Sequence, residues 1–180
     1  MSKAIDELKD EHQAILSSLR ILDKFSAAVN EGLAPEPADL AALVGFLGDF
    51  AGRCHHGKEE EVLFPALYGV GLSEHSDPIA QILSEHLLGR DYVRDMHHAL
   101  SSGPDYLTFA YAARGYSSLL RGHVRKEDSV LFPMAEKILD PVRLGRMCSS
   151  FKEYQQSLFA QDRHAQLHEM LRGLRLKYLE

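Results

Sequence analysis

His55-His56-Gly57-Lys58-Glu59-Glu60-Glu61-Val62-Leu63-Phe64-Pro65 returns later in the chain as His123-Val124-Arg125-Lys126-Glu127-Asp128-Ser129-Val130-Leu131-Phe132-Pro133, with seven of the eleven positions identical. Each copy sets a histidine four residues before a glutamate. On a helix that spacing puts imidazole and carboxylate one turn apart on the same face, a chelating geometry. A shorter echo stands upstream of each copy, Glu11-His12 before the first and Glu85-His86 before the second. The chain therefore reads as two half-sites, each a lone histidine followed by a His-x-x-x-Glu pair.

Around these half-sites the pattern is helical throughout. Ser2 caps a first helix running to about Asn30, and Pro35 and Pro37 mark the linker after it. A second helix runs from about Ala38 to Leu67 or Tyr68. Asp77-Pro78 is a cap followed by proline at the first helical position and opens a third helix ending near Ser101. Ser102-Gly103-Pro104 begins a fourth that continues to about Leu139, and Asp140-Pro141 starts a fifth segment. Four long amphipathic helices with short loops predict an all-α, up-down-up-down four-helix bundle over residues 1–139. Residues 140–180 form a C-terminal helical extension. Its apolar set, including Leu144, Met147, Phe151, Tyr154, Leu167, Leu171 and Leu174, exceeds what a solvated helix carries, so it packs on the bundle, on a partner or on a second copy in a homodimer.

Length and composition agree with one domain: 180 residues and 45 % apolar content suffice for a sizeable core. Twenty basic against 26 acidic residues give a charge of −6, which disfavours nucleic acid and anionic membranes as partners. No apolar run reaches the roughly 18 residues of a membrane span, and Met1 to Asp10 lacks a secretory layout, so the expected compartment is cytoplasmic. Cys54 and Cys148 are isolated, without a disulfide or redox spacing.

The register of each candidate ligand can be tested against its helix's apolar stripe. His12 falls among Ile5, Leu8, Ile15 and Leu19; His55 and Glu59 continue Leu40, Val44, Leu47 and Ala51 toward Val62 and Ala66. His86 lies with Ile79, Ile82, Gly89 and Val93, and His123 and Glu127 with Phe109, Ala112, Tyr116, Val130 and Met134. A buried unpaired carboxylate is costly, so Glu59 and Glu127 call for a cation. The rival register, His56 with Glu60, shares a face with Asp49 and Arg53 and reads as solvent-exposed. Asp128 lies about 140° around the helix from His123 and could reach a shared ion only through a π-bulge. His97 shares the inward face of helix 3 but sits three turns from His86, and His164 with His168 is a further i, i+4 pair. Four imidazoles and two carboxylates without thiolate suit two ions bridged by the glutamates, with positions left open for a small ligand. For chemistry with oxygen species iron fits best, and manganese or zinc would also be accepted.

This ordered set, His12, His55-x-x-x-Glu59, His86, His123-x-x-x-Glu127 with Leu-Phe-Pro after each pair, resembles the hemerythrin-like, or HHE cation-binding, family over about Ala4 to Leu139. The resemblance implies a four-helix bundle around a non-haem di-iron centre, with His12, His55, His86 and His123 as terminal ligands and Glu59 and Glu127 bridging. It further implies a protein that binds or reacts with O2, NO or peroxide in sensing, storage or detoxification; the alternative is an enzyme reducing peroxide or nitric oxide or repairing damaged iron centres. One departure stands out: the oxygen carriers place a second histidine one turn from the first on helix 3, whereas Ile82 and Arg90 flank His86 here. The expected centre is therefore one imidazole short, and more open, at the ion held by His86.

Overall fold

In the computed structural model, residues 2–101, 103–159 and 162–180 are described, and no strand occurs among them. Helix α1 (Lys3–Asn30) begins where the Ser2 side chain accepts the Ile5 N–H at 3.3 Å. Helix α2 spans 37–68, α3 is Ile79–Ser101, and α4 spans 106–138. The expected opening of α4 at Ser102 lies outside the described residues; the helix starts at Tyr106, capped by Asp105, which accepts the Thr108 N–H at 3.0 Å. α3 begins at Ile79, after a cis Asp77–Pro78 bond, rather than on the proline itself. α1 and α3 each lie against both α2 and α4, which is the cyclic order of an up-down-up-down bundle.

The core is divided. One apolar cluster, around Leu19, Leu22, Phe25, Phe46, Phe50, Phe109 and Tyr116, fills one end of the bundle. Another, around Ile5, Leu8, Phe64, Ile82, Phe132 and Phe151, fills the other end. The histidines and glutamates of the repeats form a buried polar layer between them.

That layer coincides with a local change of helix type. Pro65 and Pro133 have no N–H to donate, and their rings crowd the carbonyls of Glu61 and Ser129 four residues back. The turn ahead of each proline opens: the Phe64 N–H reaches the Glu59 carbonyl and the Phe132 N–H reaches that of Glu127, five residues away, in π-helical segments Glu59–Leu63 and Glu127–Leu131. The wider turn rotates the buried stripe by one residue. Leu63, Phe64 and Leu67 are buried where Val62 and Ala66 were expected, and Leu131, Phe132 and Ala135 replace Val130 and Met134; Val130 is exposed. A longer π-helical run, Leu47–His55, precedes the first repeat and has no counterpart before the second.

The C-terminal extension is two helices, α5 (Pro141–Leu158) and α6 (Arg163–Tyr178), not one. Asp140 caps α5 by accepting the Arg143 N–H at 2.8 Å. Both helices lie on α1 and α2. Met147, Phe151, Leu167, Leu171 and Leu174 are buried there, so the apolar set of the extension is largely used within the chain. No helix among the described residues is long and apolar enough to cross a membrane.

Candidate metal centre

All six residues singled out by the repeats meet in the polar layer. His12 comes from α1, His55 and Glu59 from α2, His86 from α3, His123 and Glu127 from α4, and at most 1 % of any of them is exposed. Donor atoms of His12, His55, Glu59 and Glu127 lie within 4.8 Å of one another, as do those of Glu59, His86, His123 and Glu127. Both glutamates thus belong to both groups.

Apart from His12 Nε2, which is hydrogen-bonded to Glu127 Oε2 at 3.0 Å, the donors are close without being hydrogen-bonded to each other. His123 Nε2 is 3.0 Å from Glu127 Oε1, and His86 Nε2 is 3.2 Å from Glu59 Oε2. Yet His55 Nε2, His86 Nε2, His123 Nε2, Glu127 Oε1 and both Glu59 oxygens have no hydrogen-bond partner. Buried polar atoms are rarely left so. Two ligands bound at about 2.1 Å on adjacent positions of one ion sit about 3 Å apart, facing the ion rather than each other. The donor set fits bound metal.

Behind each imidazole stands a carboxylate. His12 Nδ1 pairs with Asp128 Oδ1 at 2.9 Å, His55 Nδ1 with Glu11 Oε2 at 2.9 Å, His86 Nδ1 with Glu60 Oε1 at 2.7 Å, and His123 Nδ1 with Glu85 Oε2 at 2.9 Å. Carboxylates accept, so the proton of each pair belongs on Nδ1, which leaves Nε2 for a metal. Cations hold the carboxylates in turn: Lys58, buried, donates to Glu11 at 2.5 Å and to Glu7 at 2.6 Å, Lys126 to Glu85, and Arg90 to Glu60. The arrangement repeats with the sequence: Glu11–His55–Lys58 is matched by Glu85–His123–Lys126, and Asp128–His12 by Glu60–His86. Asp128 and Glu60, considered above as ligands, instead stand behind the rings of His12 and His86, and Arg90 is tied to the site through Glu60.

Residues 3–135 match the model of the hemerythrin HHE cation-binding domain. The chain belongs to that family. No curated protein and no solved structure matches it. Helices α5 and α6 lie beyond the matched span of the hemerythrin domain.

Charge is distributed unequally across the hemerythrin-domain site. Burial disfavours every ion in it, but hydrogen bonds from Asp128 and Glu127 outweigh that at His12, and the charge and hydrogen bond of Glu127 do so at His123; each is raised to about 9. Glu127, buried too, is held well below the carboxylate range by His123, His12 and His86. Glu59 is pushed upward by burial and by the charge of Glu127. Glu11, despite burial, is lowered to about 2 by His55 and Lys58.

His56 departs from expectation. It is only 2 % exposed, with its ring stacked on His86 at 4.0 Å and edge-on to His123 at 5.2 Å. The cause is the π-helical run Leu47–His55, which ends with the His56 N–H on the Ala51 carbonyl and brings Cys54, His55 and His56 inward together. An α-helical wheel, on which Asp49 and Arg53 define a wet face, cannot anticipate that. Beside His56 a cavity of about 140 Å³ is lined by Leu47, Gly48, Gly52, Gly89, Val93 and Tyr116 among others. Tyr116 is a buried residue whose hydroxyl is pushed up in pKa by burial.

Other candidates stay outside. His97 is exposed rather than inward. His164 and His168 pack against Phe50, at 5.5 and 5.0 Å between ring centres. Cys54 is buried, with burial and the Glu11 charge pushing its thiol up to about 12.

Proposed function

We propose that the two donor groups hold two iron ions, one between His12 and His55 and one between His86 and His123, bridged by Glu59 and Glu127, and that the protein binds or reacts with O2, NO or peroxide there. The observation carrying this reading is that both groups share the same two buried glutamates while six of their donor atoms have no hydrogen-bond partner. A bound iron pair supplies redox electrons and a Lewis-acidic seat for a small oxygen or nitrogen species. A mixed imidazole and carboxylate set would accept manganese or zinc as well.

The remaining work is done by the chain. The four Nδ1 carboxylates hold each ring in one tautomer and orientation, which raises the basicity of Nε2. Lys58, Lys126 and Arg90 keep Glu11, Glu85 and Glu60 ionised. Phe132 stacks on His12 at 5.3 Å and Phe64 on His86 at 6.2 Å, closing the layer against water on that side. On the other side, the cavity beside His56 has room for a diatomic molecule or peroxide.

Metal analysis with optical spectra before and after O2, NO and H2O2 tests the reading. It requires close to two irons per chain after anaerobic loading without competing zinc, and a spectral response to at least one of the three. A ratio near one contradicts the dinuclear centre. Rapid, repeated return to the starting spectrum with reductant and peroxide would assign turnover rather than carriage or sensing.

A further inference from the structure

We infer that His56 is a fifth imidazole ligand of the metal pair, joining His86 and His123 on one ion. This rests on the dinuclear reading above and adds a residue to it. Ring nitrogens of His56, His86 and His123, all three residues buried, lie within 4.8 Å of one another. Metal–imidazole bonds of about 2.1 Å allow donors on one ion to be up to about 4.2 Å apart, so the three share one centre after a sub-ångström closure with the His56 ring turned out of its stack on His86.

Neither nitrogen of His56 has a hydrogen-bond partner. Packing alone does not demand an imidazole there, because the second repeat places Val124 at the corresponding position and buries it equally well. An apolar side chain at 56 would also avoid two unsatisfied polar atoms and the company of three other imidazoles. On α3 itself the one-turn neighbours of His86 offer nothing: Ile82 is apolar, and Arg90 is engaged by Glu60.

The centre then has three imidazoles on one ion and two on the other. The sequence expectation is reversed, since the ion held by His86 becomes the better-ligated one and the ion between His12 and His55 the more open. The π-helical run Leu47–His55, absent before the second repeat, is the device that breaks the symmetry.

X-ray absorption on the iron-loaded full chain, with chelator competition on wild type and His56→Phe, tests this. Wild type should show about five imidazoles per two irons, and His56→Phe about four. In the variant, one iron should be bound at least about 10–100-fold more weakly, the loss seen even for outer-sphere partners, while the other is held as before. Metal-free His56→Phe should melt no lower than metal-free wild type, which shows that the variant folds. About four imidazoles in wild type, whatever the variant does, overturns the inference and leaves the dinuclear centre standing, as do two equally tight irons with an unchanged spectrum in His56→Phe; His56 would then be only a wall of the cavity. Fewer than two irons in wild type sinks the dinuclear reading and this inference with it.

Discussion

Glu59 and Glu127 occupy the same place in the two repeats and are equally buried, yet their surroundings differ. Glu127 accepts a hydrogen bond from His12 at 3.0 Å and lies 3.0 Å from His123, whereas neither Glu59 oxygen has a hydrogen-bond partner. In the metal-free protein Glu127 is the counter-charge of the imidazoliums, and Glu59 is a buried carboxyl with little compensation. Glu127→Leu should therefore destabilise the metal-free fold by about 3–5 kcal/mol, as expected when one partner of a buried pair is removed. Glu59→Leu should leave it as stable or more so. Both should abolish binding of the iron pair. Urea unfolding of the two apo variants decides the matter, and equal losses would contradict the asymmetry. At the outer ring, Asp128→Asn removes the charge that orients His12, 2.9 Å away, and should weaken metal binding about 10–100-fold with little effect on apo stability. Chelator titration would show it, and unchanged affinity would mean that Asp128 does not orient the ring.

At the scale of elements, the junction of α2 with α5 holds the first repeat in place. The Tyr154 hydroxyl donates to the Arg53 carbonyl at 3.1 Å, at the end of the π-helical run. Its ring lies against Gly57 so closely that a Cβ at 57 would collide with the Tyr154 ring and hydroxyl. Lys58, next in the chain, carries its ammonium 5.6 Å from the centre of the Phe151 ring. Gly57→Ala should cost about 1–3 kcal/mol through overpacking, and adding Tyr154→Ala should relieve much of that cost. Tyr154→Phe alone should cost about 1 kcal/mol for the lost hydrogen bond. Thermal melts of the three variants check the set; a Gly57→Ala protein as stable as wild type would show that α5 is not seated on this turn.

For the whole molecule, the extension and the proposed metal pair would be two sources of stability. Met147, Phe151, Leu167, Leu171 and Leu174 are buried against the bundle, each worth about 1.5–3 kcal/mol. Their sum rivals the roughly 5–15 kcal/mol that separates a folded domain from its unfolded chain. A chain ending at Leu139 should lose its cooperative melt or bind metal only weakly, although the whole family-matched span remains. A sharp transition with two irons retained would show that the extension is dispensable. Removing iron from the intact protein should lower Tm by roughly 5–15 °C, the equivalent of about 3–4 kcal/mol of binding at ligand 100–1,000 times Kd. Calorimetry of the holo and chelated forms measures it.

Periodicity along single helices was enough to read the four-helix bundle and to bring His12, His55, Glu59, His86, His123 and Glu127 to its inward faces, because each of those placements is local: a 3.6-residue repeat puts a ligand on the same stripe as its apolar neighbours. The repeat itself showed that the two halves carry matching His-x-x-x-Glu pairs. What tertiary structure alone decided lies between helices or departs from the α period. Asp128 behind His12 and Glu60 behind His86 are contacts between helices remote in sequence, whose relative height no single-helix pattern records. The π-helical turns rotate everything after Glu59 and Glu127 by one residue and carry Val130 to solvent. His56 was misread for the same reason: its inward position depends on a run of five-residue hydrogen bonds in Leu47–His55, seated against Tyr154 of a helix about a hundred residues away, and only the folded chain brings those together.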